Sequence, residues 1–415
     1  MKRFFMACIC AVAALAACDP ENGVTTVSAN VTIDESGLEE NVSAESYEVV
    51  FTNTANGNVT TASSENGIAT AKVVPGVYTI LVRGKVSGDF SYIITGAQKN
   101  VTIITDGTEV TVKVKAAKES QLIIKETYYT GSTFKTGEVD ENGVESESTY
   151  FRDQFHEIYN NSNEVAYADG LCIAYTVFAD LTYTKFYTYE GYSADEYVFV
   201  QHIWQVPGDG TEYPIQPGES IIIAQWATNH KADALTKGYS PVDLSGAEFE
   251  AIEGPKELWN ATITDGPAVD LVFAVDAKGY GLQQWMVPTG GANLIIFKPS
   301  SPLRTSGFIQ AKEEPNANSQ AIEIRIADVL DAVQSIDDET RIQTLGMPAS
   351  LDAGYIWCDG TYVGQSISRV QAGKLNNGRP KYLDTNDTCT DFEKQVLPMI
   401  RRNGAGVPAW NTWNN

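Results

Sequence analysis

Leu122-Ile123-Ile124-Lys125-Glu126-Thr127-Tyr128-Tyr129 is a run dominated by apolar residues, and it predicts a strand near the centre of a β-sheet. Two later runs have the same character, Phe155-His156-Glu157-Ile158-Tyr159 and Ile221-Ile222-Ile223-Ala224. Residues typical of tight turns lie beside these runs: Asn160-Asn161-Ser162, Asp169-Gly170 and Pro217-Gly218. This part of the chain is therefore predicted to be a β-sandwich.

Residues 24–118, upstream of this run, alternate between apolar and polar positions and are broken by Asn, Gly and Asp. Such short period-2 segments with frequent turn residues are typical of a β-sandwich. The clearest strand candidates are Val49-Val50-Phe51, Ala69-Thr70-Ala71-Lys72-Val73, Tyr78-Thr79-Ile80-Leu81-Val82 and Val110-Thr111-Val112-Lys113-Val114.

The predicted fold class is all-β, with two sandwiches in a chain of 415 residues. We assign residues 24–118 to the first sandwich, 119–396 to the second and 397–415 to a C-terminal tail. The second sandwich contains a long insertion at about 229–298, which we expect to be folded because Trp226, Trp259 and Trp285 lie in or beside it. One short helix is predicted from Ile326 to Ile336, since Val329, Leu330, Val333 and Ile336 share a helical face.

The first sandwich resembles the prealbumin-like modules of carboxypeptidase regulatory domains and adhesin stalks. The resemblance rests on Asn53-Thr54-Ala55-Asn56-Gly57, Gly67-Ile68-Ala69 and Val74-Pro75-Gly76-Val77-Tyr78-Thr79-Ile80. It implies a spacer or plug-like role.

The second sandwich resembles a lamin-tail domain, which has an immunoglobulin-like fold. The resemblance rests on the runs at 122–129, 155–162 and 214–224, and on closing strands at 364–370 and 384–392. The insertion departs from the family pattern. The whole arrangement resembles an uncharacterised family of Bacteroidota lipoproteins, which implies a location and a fold but no activity.

The N-terminus predicts export and lipidation. Lys2 and Arg3 precede an apolar run from Phe4 to Leu15, and Leu15-Ala16-Ala17-Cys18 resembles the lipobox of bacterial lipoproteins. Residues 1–17 would then be the signal peptide, Cys18 would carry the lipid, and residues 18–23 would link it to the first sandwich. The alternative is an ordinary secretory signal with Ala14-Leu15-Ala16 as its cleavage site.

The segment Asp19-Pro20-Glu21-Asn22 resembles the export tag that sends Bacteroidota lipoproteins to the cell surface. After the signal, no apolar run approaches the roughly 18 residues of a membrane span, so we expect the lipid to be the only membrane anchor. The predicted location is the outer membrane, facing the cell exterior.

The charge of the chain excludes one class of function, and its cysteines suggest structural roles. The formal net charge is −24, and the clustered Lys and Arg that phosphate contacts need are missing, which excludes nucleic-acid binding. Cys172, in the apolar run Leu171-Cys172-Ile173-Ala174, is predicted to be a core residue. A bridge between Cys358 and Cys389 stays open at this point.

Three motif matches are weak evidence for a catalytic or metal-binding site. Ser132-Thr133-Phe134-Lys135-Thr136-Gly137 contains both the SxxK and KTG strings of serine β-lactamases, but one six-residue loop cannot supply both. His156, His202 and His230 lack zinc-ligand spacing, so a metal site would need assembly by the fold. The segment Asp140-Glu141-Asn142-Gly143-Val144-Glu145 resembles a calcium loop but lacks the remaining ligands of an EF-hand, so we expect a solvated acidic loop.

The remaining feature is an aromatic stretch, which combines rings suited to stacking with polar tips suited to hydrogen bonds. Such residues also suit ordinary strands, so a structural role is the alternative. Our candidate ligand-binding residues are Tyr183, Tyr187, Tyr189, Tyr192, Tyr197 and Trp204.

The sequence thus favours a non-catalytic binding or accessory subunit without cofactor or metal. Its ligand would be a glycan, a nutrient or a protein, and its partner an outer-membrane transporter of a nutrient-uptake system. A structural or adhesive envelope component is the alternative. A glycan-processing enzyme is a third, because paired carboxylates cannot be identified from spacing alone.

Overall fold

The computed structural model describes residues 25–38, 42–56, 58–85, 92–177, 187–231, 240–252, 266–279, 285, 287–291, 293–336, 347–348 and 351–414. Over these residues the protein is built almost entirely of strands, which confirms the predicted all-β fold class. The α-helix of the described residues is the short α1, Thr388–Asp391. No helix in this part of the chain is long and apolar enough to cross a membrane.

The N-terminal region forms a sandwich of a three-stranded and a five-stranded sheet, ordered β4-β1-β7 and β3-β2-β5-β6-β8. Alternate residues of β1, β2 and β4 are buried, as the period-2 pattern predicts, and they meet in one core that includes Val31, Val49, Phe51 and Ile80. The strands are β1 (Val27–Asp34), β2 (Ser46–Asn53), β3 (Val59–Ser63), β4 (Ile68–Val73), β5 (Gly76–Lys85), β6 (Tyr92–Ile103), β7 (Thr108–Lys113) and β8 (Lys115–Lys118).

The rest of the chain contributes a seven-stranded sheet, β20-β19-β18-β12-β9-β26-β29, and a six-stranded sheet, β21-β16-β14-β22-β24-β25. Six further short strands form the pairs β13-β17, β15-β23 and β27-β28, and β10 and β11 form a hairpin. The strands are β9 (Leu122–Tyr128), β10 (Ser132–Val139), β11 (Glu145–Tyr150), β12 (Phe155–Asn160), β13 (Ala166–Tyr167), β14 (Cys172–Tyr175), β15 (Tyr197–Val200), β16 (His202–Gln205), β17 (Pro214–Ile215), β18 (Ser220–Ala224), β19 (Phe249–Glu250), β20 (Val269–Asp270), β21 (Val272–Asp276), β22 (Asn293–Phe297), β23 (Ile322–Arg325), β24 (Val329–Ile336), β25 (Ile356–Trp357), β26 (Ser366–Arg369), β27 (Gln371–Lys374), β28 (Pro380–Tyr382) and β29 (Phe392–Gln395).

The two large sheets pack face to face around one core, to which both contribute, for example Ile158 and Ile223 from one and Ile173 and Ile296 from the other. Each sheet is also covered on its outer face by a further apolar cluster. Every residue of β9, β12, β18 and β22 is therefore buried. Burial on both faces explains why these strands are continuous apolar runs rather than alternating ones.

The prediction of a helix from Ile326 to Ile336 is wrong. After one turn of 3-10 helix, β24 runs from Val329 to Ile336 and pairs antiparallel with β22. Six consecutive residues of β24 are buried, so both faces of the strand contact the protein interior. The helical spacing of its large apolar residues therefore does not indicate an amphipathic helix.

Two other expectations change. The segment Ser132–Gly137 lies in strand β10 of the exposed hairpin β10–β11 and not in a loop. Within the predicted insertion at about 229–298, β22 lies between β14 and β24 in the six-stranded sheet, so this part of the chain supplies a central strand of the sandwich.

Residues of the C-terminal segment after position 396 pack on the second sandwich. Arg401 pairs with the buried carboxylate of Glu248, and Arg402 with that of Glu126 at 2.9 Å. Trp410 packs against the main core, and its Nε1 donates to the carbonyl of Pro214.

The two sandwiches contact each other through polar groups. Arg83 of β5 donates to Asp387, the N-cap of helix α1, and to Oγ1 of Thr390 within that helix. Lys99 of β6 donates from Nζ to the carbonyl oxygen of Met347 at 2.8 Å. These contacts hold the first sandwich against the second and place β6 and β8 beside the cleft described next.

Candidate ligand-binding cleft

A cleft of about 1030 Å³ lies where the two sandwiches meet. Thr95 of β6 and Lys115 of β8 line it from the first sandwich. Tyr167 of β13, Tyr197 of β15 and the start of β24 line it from the second. Clefts between domains are common ligand sites, and this volume suits a ligand at or above the size of a small cofactor.

The apolar part of the cleft combines two tyrosines with aliphatic side chains. Tyr167 is 36% exposed and Tyr197 is half-buried, so both rings are accessible from the cleft. Ile326, Val329 and Leu330 are half-buried beside them. An accessible ring with a polar tip can stack on a flat apolar face and accept or donate a hydrogen bond.

The charged part of the cleft contains equal numbers of exposed or half-buried basic and acidic side chains. The basic ones are Lys115, Lys298 and Arg325, and the acidic ones are Glu119, Asp195 and Glu196. Lys298 donates from Nζ to the carbonyl oxygen of Tyr167, and burial lowers the pKa of its ammonium group.

Two further acidic residues at the cleft, Asp331 and Asp384, are buried and bound to Arg369. Arg369 Nη2 lies 2.7 Å from Asp331 Oδ1, and Nη1 lies 3.3 Å from Asp384 Oδ1. Burial raises the pKa of Asp331, and it raises the pKa of Asp384 to about 7, with Arg369 opposing both shifts. The guanidinium makes these two carboxylates part of the framework. Among the other charged groups, Glu119 is paired with Lys381 at 3.0 Å, so Lys115, Arg325, Asp195 and Glu196 are the ones best placed to face a ligand.

A smaller groove of about 410 Å³ adjoins the cleft, and Tyr197 and Arg325 line both cavities. Arg304 in this groove pairs with Glu323 at 2.7 Å and donates to the hydroxyl of Tyr192. The rings of Tyr192 and Tyr197 meet edge to face, with centroids 5.1 Å apart. The two tyrosines are thus held in fixed orientations at the groove wall.

The predicted aromatic residues divide into two groups, while Tyr183 lies outside the described residues. Tyr192 and Tyr197 line the cavities, as a binding role requires. Tyr189 is buried, stacks on Phe199 at 4.2 Å and donates to the Ser319 carbonyl. The burial of Tyr189 therefore fits the structural alternative and not a ligand contact.

The other two predicted residues also lie away from the cleft lining. Trp204 is buried in the main core and stacks on Phe273, so it cannot contact a ligand at the surface. Tyr187 is half-buried, and its hydroxyl donates to Glu314.

Sequence reasoning missed Tyr167 and Arg325. Tyr167 is a single aromatic residue in the two-residue strand β13, and Arg325 ends β23, more than a hundred residues later in the chain. Neither position has a local density of aromatic or basic residues, so only the tertiary structure brings them to one cleft.

Each of the three histidines has a structural partner. His156 accepts a hydrogen bond from Trp285 Nε1 at 3.0 Å, and burial lowers the pKa of its imidazole to about 3. His230 contacts the Tyr150 hydroxyl, and His202 lies 3.2 Å from Asp276. Within the described residues, no group of three or more His, Cys, Asp or Glu side chains could hold a metal ion.

The other motif matches are also structural. Asp140 accepts hydrogen bonds from the backbone N–H groups of Asn142 and Val144 and so closes the turn between β10 and β11. Cys172 is buried in an apolar cluster, which confirms its predicted core position. Cys358 and Cys389 are both free thiols, Cys358 buried and Cys389 exposed.

Residues 216–399 match the model of a protein family of unknown function, DUF4876. The chain is also similar to the crystal structure of a DUF4876 family protein from Bacteroides thetaiotaomicron, with 31% sequence identity and a TM-score of 0.62. That match covers 93% of this chain and 99% of the other. The chain belongs to the DUF4876 family.

A second structure, a candidate adhesin from Bacteroides ovatus, is 10% identical over 62% of this chain and 98% of the other. Its TM-score of 0.22 does not show a shared fold with the DUF4876 chain. No curated protein matches the chain.

Proposed function

We propose that this DUF4876 protein is a non-catalytic binding or accessory subunit at the cell surface that takes its ligand in the cleft between the two sandwiches. The cleft itself carries the proposal. Its tyrosine rings, aliphatic side chains and charged groups of both signs are the mixture that binding sites use for orientation and specificity.

The proposed location rests on the sequence. Lipid on Cys18 would tether the chain, and Asp19-Pro20-Glu21-Asn22 would direct it to the outer face of the outer membrane. A protein so placed meets extracellular glycans, nutrients and proteins. We therefore propose that it hands its ligand to, or acts beside, an outer-membrane transporter of a nutrient-uptake system.

The cleft can be tested by filling it. Ala327 is an exposed residue at the cleft, and Ala327→Trp would place a large ring in the binding space. Ala372, an exposed residue of β27, offers the matched control Ala372→Trp. The intact chain and both variants would be applied to arrays of surface glycans and of extracellular proteins.

We expect at least one array component to bind the parent chain and the Ala372→Trp variant but to lose most of its binding to Ala327→Trp. Equal binding by all three proteins would place the interaction elsewhere. A binding signal absent from every array would contradict the proposal as a whole.

A structural or adhesive envelope role is the second candidate. It is favoured by the polar contacts that fix the first sandwich to the second, Arg83 with Asp387 and Lys99 with Met347, because a rigid pair of domains suits a stalk. In that case deletion of the gene would weaken cell adhesion or envelope integrity, and Ala327→Trp would restore both as well as the parent chain does.

A further inference from the structure

We infer that the cleft and the adjoining groove bind a neutral oligosaccharide several sugar units long. The inference rests on the proposed function and names its ligand class. Three features of the site carry it: charge balance, fixed aromatic rings and continuity between the two cavities.

The charge balance is the first feature. The chain carries a net charge of −24, yet outside the buried Asp331 and Asp384, which Arg369 binds, the cleft has Lys115, Lys298 and Arg325 beside Asp195, Glu196 and a Glu119 that is paired with Lys381. The groove repeats the balance, with Arg304 and Arg325 against Glu323 and Asp328. An anion would meet half of these groups as repulsive neighbours, and so would a cation.

A neutral polyhydroxylated ligand satisfies both kinds of group. Each sugar hydroxyl donates one hydrogen bond and accepts others, so it can face a carboxylate and a guanidinium in the same site. Hydrogen bonds to charged partners are stronger than those between neutral groups, which would offset the loss of hydration by Arg325 and Asp195 on binding.

The rings supply the second feature. Tyr197 is held edge to face by Tyr192, and Tyr192 is held by the Arg304 guanidinium, which donates to its hydroxyl. Rings fixed before binding lose little conformational freedom when a flat sugar face stacks on them. Tyr167 places another accessible ring in the cleft.

Continuity sets the length. Tyr197 and Arg325 belong to the lining of both the 1030 Å³ cleft and the 410 Å³ groove, so the two cavities adjoin at these two side chains. A single sugar would leave most of this space filled with water. An extended oligosaccharide would contact both cavities, and each added unit would contribute until they are filled.

The experiment is a titration by calorimetry of the intact chain with neutral gluco-, manno- and xylo-oligosaccharides, each from disaccharide to hexasaccharide. Oligogalacturonate and deacetylated chito-oligosaccharide serve as the anionic and cationic comparisons. We expect at least one neutral series to bind, with affinity rising with length, about tenfold or more above that of the charged sugars and nearly unaffected by salt.

Variants of the shared ring test the stacking contact. Tyr197→Ala should weaken binding of the longest neutral sugar by about tenfold or more, whereas Tyr197→Phe keeps the ring and should stay within about threefold. Tyr362→Ala is the control, since this half-buried tyrosine lines neither cavity. Thermal melts confirm that each variant is folded.

The inference fails if a charged sugar binds most tightly, if affinity is independent of length, or if Tyr197→Phe loses as much as Tyr197→Ala. The oligosaccharide inference also fails if only peptides or proteins bind and Ala327→Trp blocks their binding, but the proposed binding function of the cleft then stands. If Ala327→Trp alters no binding at all, both the oligosaccharide inference and the proposed function fail.

Discussion

Arg369, the last residue of β26, is buried, with a side chain that is 1% exposed, and its removal should be a highly damaging polar change. Its Nε donates to the carbonyl of Ile124 at 2.8 Å, and Nη2 donates to both oxygens of Asp331 at 2.7 and 2.8 Å. Nη1 lies 3.3 Å from carboxylate oxygens of Asp384 and Asp391. One guanidinium thus compensates three buried carboxylates.

Arg369→Met keeps most of the apolar stem and removes the charge. Breaking a buried ion pair by removing one partner costs roughly 3–5 kcal/mol, because the other partner stays buried without compensation. Three carboxylates share this guanidinium, so we expect the upper half of that range. At roughly 2–4 °C per kcal/mol for a unit of this size, the melting temperature should fall by roughly 8–20 °C.

The loss should depend on pH. Burial raises the pKa of Asp331 and raises that of Asp384 to about 7, while Arg369 lowers both. Without Arg369 these carboxyl groups should hold their protons to still higher pH. A carboxyl group whose pKa is raised by folding loses its stabilising contribution as the pH rises through the folded value. The penalty should therefore be larger at about pH 8 than at about pH 5.

Denaturant titrations at these two pH values would measure the free energy of unfolding. The control is Arg325→Met, an exposed arginine for which we expect a change of about 0–1 kcal/mol at either pH. A loss for Arg369→Met as small as that of the control would refute the reasoning. So would an equally large loss at both pH values.

Three further changes have defined outcomes. Cys18→Ala should release the mature chain from the membrane fraction, and unchanged fractionation would contradict lipid anchoring. Burial raises the pKa of the Asp153 carboxyl group to about 6. The protonated group therefore adds about 3 kcal/mol to the free energy of unfolding below pH ~4, and this contribution is lost as the pH rises through about 6. Asp153→Asn keeps one oxygen that can accept hydrogen bonds from Tyr128 and Ser240. The melting temperature of this variant should change less between these pH values than that of the parent chain. An equal change in both proteins would show that Asp153 is not the titrating group. Tyr189→Ala should cost roughly 3–5 kcal/mol because the ring is buried, whereas Tyr197→Ala should cost well under half as much; equal losses in denaturant titrations would show that both rings are core.

Local residue patterns were sufficient to predict several strands of both sandwiches. The runs at 122–129, 155–159 and 221–224 correspond to β9, β12 and β18, because a strand buried on both faces is apolar at consecutive positions. The alternating segments at 69–73 and 78–82 lie in β4 and β5. Gly218, in the turn predicted from Pro217-Gly218, has φ +78°, which a residue without a side chain adopts without strain.

Part of the candidate site was also within reach of the sequence. A dense group of tyrosines signals rings with polar tips, and Tyr192 and Tyr197 do line the cavities. The same density could not separate them from Tyr189, because burial depends on whether Phe199 and Ser319 lie against the ring. Those contacts are made across large separations in the chain.

Only the tertiary structure decided the state of residues 326–336 and the existence of the cleft. The spacing of Val329, Leu330 and Val333 satisfies a helix, but backbone hydrogen bonds to β22 and burial on both faces favour β24 as a strand. The cleft likewise depends on docking of one sandwich against the other, which brings Lys115 and Arg325 together from separate domains. Local propensity reports nearest neighbours along the chain, whereas pairing and docking are decided by contacts between residues far apart in sequence.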